Sequence, residues 1–172
     1  MKFISSDSTC LFHVLFLPLV VCLLYVNTLD SPFVFDDSQI FENNTTAISE
    51  VSWESLKKVV SESINKNRVI PNISFALNYG ANGVDVTGYH WVNIAVHSAA
   101  TLIIYFLLNL VLSICFHGND HRLNSELAFL SALLWAVHPL QTNAVTYIVQ
   151  RMTSMATLFF LLALLCYVKA RI

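Results

Sequence analysis

Two adjacent aspartates, Asp36 and Asp37, follow the apolar run Pro32-Phe33-Val34-Phe35. A carboxylate pair in apolar surroundings holds at least one proton more tightly than usual, through desolvation and like-charge repulsion, which suits a general base or a metal ligand. The same spacing also fits a solvated turn. His90, Asn93 and His97 recur at i, i+3 and i+7, the spacing of one helix face. Polar residues in an apolar helix point into a bundle or a water-filled site. Interhelical hydrogen bonding is the expectation for Asn93 and His97, whereas His90, nearer the helix end, is the site candidate. The segment from His138-Pro139 to Arg151 carries a single charge, its arginine. A guanidinium at a membrane boundary suits a lipid-linked phosphate, with parallel donors and a charge that does not titrate away. Anchoring among lipid headgroups fits the same residue.

Groups so far apart in the chain need elements to gather them, and the composition says what kind. The chain has 172 residues, 56% hydrophobic and 12% charged, with a mean hydropathy of +0.63, well outside the balance of a soluble domain. Charge-free stretches run from Ser8 to Leu29, Tyr89 to Asn119, Leu127 to Gln150 and Met152 to Val168. Each approaches or exceeds the roughly 17 to 25 residues a helix needs to cross about 30 Å of hydrocarbon, and in lipid the backbone of such a segment is satisfied only as a helix. The expected fold is therefore all-α, a polytopic membrane protein with one membrane domain over 1-172. About four transmembrane helices are expected near 10-28, 91-116, 124-138 and 152-168, with a long, partly helical extracytoplasmic loop over 29-90. The first stretch reads as an uncleaved signal anchor, because bulky residues rather than a small-x-small site follow it.

Basic residues concentrate on the cytoplasmic side of membrane proteins. Lys2, Arg122, Lys169 and Arg171 flank the apolar stretches on one side, while the loop over 29-90 is rich in acids. Both termini are thus expected inside, which puts Asp36, Asp37, Arg68, His90, His138 and Arg151 on one outer face. Within the loop, Ser52 can cap a helix over Trp53 to Ser61 with Trp53, Leu56, Val59 and Val60 near one side, suited to lying on a membrane surface. A second helix is expected from Pro71 to a stop at Gly80, with a turn at Asn82-Gly83. Asn43, Asn44 and Asn72 head glycosylation triplets. Cys10, Cys22, Cys115 and Cys166 show no CxxC spacing, so neither a disulfide framework nor a zinc site is suggested. No Gly-rich phosphate loop, nucleophile elbow, HExxH or internal repeat occurs, which speaks against a soluble enzyme.

Four blocks in order carry a resemblance: Phe35-Asp36-Asp37-x-x-Ile40; Arg68-x-x-Pro71 leading into Ser74-Phe75-Ala76-Leu77-Asn78-Tyr79; Gly88-Tyr89-His90-x-x-Asn93-x-x-x-His97; and His138-Pro139-x-x-Thr142-x-x-Val145 with Arg151. They resemble the N-terminal part of GT-C-fold glycosyltransferases, and more narrowly the transmembrane and tetratricopeptide-repeat O-mannosyltransferases and their bacterial relatives. The resemblance implies sugar transfer from a polyprenyl-phosphate donor to an acceptor hydroxyl, on protein or glycan, at the extracytoplasmic face. Asp36 or Asp37 would be the general base, Arg151 or Arg68 would hold the donor phosphate, and His90 and His138 would line the substrate site. It implies an inverting displacement with no cofactor and no metal; membrane lipid is an expected partner and nucleic acid is not. A bacterial plasma membrane is expected, with the endoplasmic reticulum membrane as the alternative. Two departures qualify this: Asn143 stands where the family places glutamate, and the further membrane helices and repeats of the family do not follow. The chain by itself is accordingly expected to be an inactive fragment of such an enzyme, or alternatively an inactive membrane remnant or binding subunit of the same fold.

Overall fold

A computed structural model of the chain describes residues 8–38, 40, 47–48, 50–62, 67–116 and 120–172. Among the described residues the regular structure is helical: α1 (Ser8–Tyr25), α2 (Trp53–Glu62), α3 (Val69–Asn82), α4 (Val86–Cys115), α5 (His121–Ala136), α6 (Gln141–Thr146) and α7 (Arg151–Ala170), with 3₁₀ turns at Val26–Thr28, Phe35–Ser38 and Ile148–Gln150. The flank at Lys2 and the glycosylation triplets at Asn43 and Asn44 lie outside these residues.

Helices α1 and α7, each with its adjoining 3₁₀ turn, and helix α4 are long and apolar enough to cross a membrane. That makes three such helices among the described residues, against the four expected. The difference is α5, which has 16 residues and so extends about 24 Å, short of the hydrocarbon thickness. Pro139 accounts for its early end, since the residue before a proline is pushed away from helical backbone. Its start is fixed by Asp120, whose carboxylate accepts the Arg122 amide at 3.0 Å. Helix α4, in contrast, begins earlier than expected, at Val86, where Asp85 accepts the Thr87 amide at 3.1 Å. Its 30 residues span about 45 Å, more than the hydrocarbon thickness, and its first turns carry Tyr89, His90 and Asn93.

Contacts between helices give their directions. His13 lies 3.3 Å from the Tyr105 hydroxyl, while Tyr25 meets His97 edge to face at 5.8 Å, so α1 and α4 are antiparallel. Ser125 lies 2.9 Å from the same hydroxyl and the Ala136 carbonyl 3.1 Å from His97, so α5 also runs against α4. Ala128, Ala132 and Ala136, one helical turn apart, are fully buried on α5, a small-residue face that lets helices approach closely. Leu123, Leu127, Leu130 and Leu134 face outward. Helix α7 starts beside Asn93 and packs along α4. One end of the bundle therefore gathers Tyr25, Asn93, His97, Ala136 and Arg151.

Over that end lie α2 and α3. Ser52 caps α2 as expected, accepting the Ser55 amide at 3.1 Å, and Leu56 and Val59 pack with Ile48, Ile73 and Ala76. Helix α3 runs through Gly80 instead of stopping there. The glycine answers a close approach: a Cβ at this position would lie 2.7 Å from Val51 Cγ2. The helix ends at Gly83, whose φ of +59° suits a residue without Cβ.

Candidate functional site

The aspartates sit in the 3₁₀ turn Phe35–Ser38 and differ in burial. Asp37 is buried at 1% exposure. Its Oδ2 accepts the Val34 amide at 3.0 Å and its Oδ1 the Val149 amide at 2.7 Å. Burial pushes this carboxyl above its ordinary pKa, and the amides of Val34 and Val149, then His90 and the Ile148 amide, pull part of the way back. Asp36 is exposed, and its amide donates to the Tyr147 hydroxyl at 3.0 Å. Phe35, just before the pair, has a φ of +48° and is 89% exposed. A non-glycine residue in that region stores about 1–3 kcal/mol of strain, a cost common at functional sites.

Opposite the pair runs a short strap, residues 147–150, leading into Arg151. Asn93 of α4 holds the end of α6 and the strap by their carbonyls, donating from Nδ2 to Val145 of α6 at 3.1 Å, with Ile148 and Tyr147 of the strap at 3.4 and 3.5 Å. The carbonyls being turned toward α4, the Val149 amide is left to face Asp37. Arg151 is fully buried. Its Nε donates to Asn93 Oδ1 at 2.7 Å, Nη1 to Asn78 Oδ1 at 2.6 Å and Ser74 Oγ at 3.3 Å, and Nη2 to the Tyr89 carbonyl at 2.8 Å. The guanidinium also lies 4.4 Å over the Phe75 ring.

Arg68, at the start of α3, is exposed. Its Nη1 donates to Met152 Sδ at 3.1 Å, a weak acceptor. Beside it opens a groove of about 600 Å³ between α3 and α7, lined by Asn67, Ile70, Pro71, Met155, Ala156 and Phe159 among others. His90 is buried, its Nε2 3.0 Å from the Ser31 carbonyl and its Nδ1 without a partner among the described residues. His138 is exposed and accepts the Leu140 amide at 3.2 Å, closing the turn before α6. No hydrogen bond among the described residues joins it to the aspartates or arginines. Asn143, at the position where glutamate was expected, is exposed on α6.

Six candidate residues thus lie at one end of the bundle in two different situations. Asp36, Arg68 and His138 are exposed, whereas Asp37, His90 and Arg151 are built in. An exposed carboxylate can take a proton from a hydroxyl, and an exposed guanidinium beside an apolar groove can bind an anionic head that carries an apolar tail. Among the described residues no group of three potential ligands is placed to hold a metal ion. Tyr147, Met152 and Asn78 were not singled out by the sequence. For Asn78 the signal was its i, i+4 spacing from Ser74, which puts both on the face that meets Arg151. Asn93 and His97 make the interhelical bonds expected of them. Asn72, expected as a glycan acceptor, is 3% exposed within α3, so the helix removes that triplet from reach.

The chain is similar to known proteins. The chain is 33% identical over 154 residues to Protein O-mannosyl-transferase TMTC2 of Homo sapiens, covering 85% of this chain and 17% of that one. It is 35% identical over 156 residues to the Xenopus laevis protein O-mannosyl-transferase tmtc2, covering 86% and 17%, and 31% identical over 163 residues to the human TMTC4, covering 88% and 22%. The chain spans about a fifth of the length of these curated relatives. No family model matches it, and no solved structure matches it significantly. The resemblance carried by the four sequence blocks is thereby borne out: the chain is homologous to transmembrane protein O-mannosyl-transferases over most of its length.

Proposed function

We propose that this chain, as a homologue of protein O-mannosyl-transferases, holds the part of a membrane glycosyltransferase where an acceptor hydroxyl meets a polyprenyl-phosphate-linked mannose. The observation that carries this reading is the segment 147–152. Within six residues it touches Asp36 through the Tyr147 hydroxyl, Asp37 through the Val149 amide and Arg68 through the Met152 sulfur. The proposed base and the proposed phosphate-binding cation thus contact one short segment.

In the proposed reaction the acceptor oxygen attacks the anomeric carbon as the bond from that carbon to the phosphate oxygen breaks, inverting its configuration. Asp36 takes the acceptor's proton, being the exposed member of the pair, while Asp37 fixes the turn. Arg68 pairs with the phosphate and stabilises the charge that develops as it leaves. The apolar groove beside Arg68 takes the first part of the polyprenyl chain, with Met152 and Met155 as its adaptable wall. His138, exposed at the same end, faces the sugar or the acceptor. The relatives are animal proteins, so we assign the site to the lumenal side of an endoplasmic reticulum membrane with both termini cytoplasmic; they lend no support to the bacterial membrane expected from sequence. The fold is proposed as the first part of a GT-C-type bundle.

The test is mannosyl transfer by the full chain in proteoliposomes, with a short polyprenyl-phosphate mannose and a hydroxyl-bearing peptide. Asp36→Asn is expected to lower turnover about a hundred-fold or more with the thermal midpoint kept, and Arg68→Gln to raise the donor KM. Transfer that survives Asp36→Asn would overturn the assignment of the base. Donor binding without transfer by the unaltered chain would reduce the site to a binding role.

A further inference from the structure

We propose that Arg151 is a positioning residue that fastens the strap under the aspartate pair, and that it does not bind the donor phosphate. This rests on the site being the transferase site described above. Arg151 is the residue whose type and place in the sequence best suit a phosphate, yet it is fully buried and makes four hydrogen bonds to the protein's own oxygens, three of them at 2.6–2.8 Å. Those oxygens come from two helices: the Asn78 and Ser74 side chains of α3, and the Asn93 side chain and Tyr89 carbonyl of α4. Phe75 closes one face of the guanidinium. A planar fork of donors can meet all of these at once, and a lysine cannot.

The link to chemistry runs through Asn93. Its Oδ1 accepts from Arg151 Nε, which orients the amide so that its Nδ2 points at the carbonyls of Val145, at the end of α6, and of Tyr147 and Ile148 in the strap. With the carbonyls held from one side and the end of the strap anchored by Arg151, the Val149 amide and the Tyr147 hydroxyl are fixed on the other side, toward Asp37 and Asp36. Arg151 has no acidic partner among the described residues, so its charge meets neutral dipoles only. Such an arrangement has the strength of charge-assisted hydrogen bonds without drawing a carboxylate away from the site.

Arg151→Lys in the full chain, reconstituted in nanodiscs, separates the roles. Hydrogen exchange is followed at the Val149 amide, and affinity is measured for a short-chain polyprenyl phosphate without sugar. A positioning role predicts exchange faster by about ten-fold or more, the effect of losing a charge-assisted hydrogen bond, with the phosphate Kd unchanged. In transfer assays kcat falls and the donor KM does not. A Kd weakened about ten-fold, or unchanged exchange at Val149, overturns the proposal. Both readouts hold if the unaltered chain shows no transfer, so failure of the transferase reading is seen separately. If Arg151→Lys does not fold, Asn78→Ala, which removes one acceptor and keeps the cation, is read in the same way.

Discussion

Ionising Asp37 means placing a charge in a buried turn, against which two backbone amides offer partial compensation. The balance leaves its pKa above the ordinary 3.8. Between that value and the raised one, the folded chain binds more protons than the unfolded chain, so this residue's contribution to stability is full below the window and is lost as pH rises through it. Asp37→Asn is expected to flatten the pH dependence of the thermal midpoint in that window. It also leaves a single oxygen for two part-buried amides, so that one loses its acceptor at a cost of about 1–3 kcal/mol, and a midpoint unchanged at every pH would contradict both effects. The two aspartates were legible in sequence as a pair but not as a buried and an exposed member. That division depends on Val149, 112 residues away along the chain from Asp37, and no local pattern encodes such a contact. The same holds for Arg151, whose burial is decided by Ser74, Asn78, Tyr89 and Asn93 arriving from two other helices.

Helix α3 shows how an element changes the meaning of a local motif. Asn72-Ile73-Ser74 has the glycosylation pattern, but Asn72 is buried and the Ser74 hydroxyl donates to the Pro71 carbonyl at 2.7 Å. Asn72 is therefore expected to stay unmodified when the chain is made in a secretory pathway. Removing glycans enzymatically from the chain and from its Asn72→Gln variant should give the same shift in mass for both. Apolar periodicity made α2 legible to within a residue, with its Ser52 cap, because the signal is local. It did not give the end of α3, since the packing of Val51 on Gly80 turns a usual stop residue into an interior one. Length was the limit at α5: charge-free sequence continues past Pro139 into Leu140 to Gln150, while the helix itself stops at Ala136.

For the whole molecule, the antiparallel order of α1, α4 and α5 puts the aspartate turn, α6 and the strap at one end and the start of α5 at the other. Cysteines placed at Ser38 and Thr142 are expected to react with an impermeant thiol reagent from the same side of sealed vesicles, and a cysteine at His121 only from the opposite side. Labelling of all three from one side would break the shared-face arrangement on which the site depends. The alternation of apolar stretches with polar segments made this gathering legible from sequence alone, because polar groups are costly in lipid. The shortness of α5 has a consequence for the bilayer itself. Beside a helix of about 24 Å, the surrounding lipid must thin or the helix must draw polar groups inward, at a modest cost for each ångström of mismatch. That cost is lowest in the thin membranes of early secretion and rises toward the thicker cell surface, so a bundle with one strut this short suits a thin lipid layer better than a thick one.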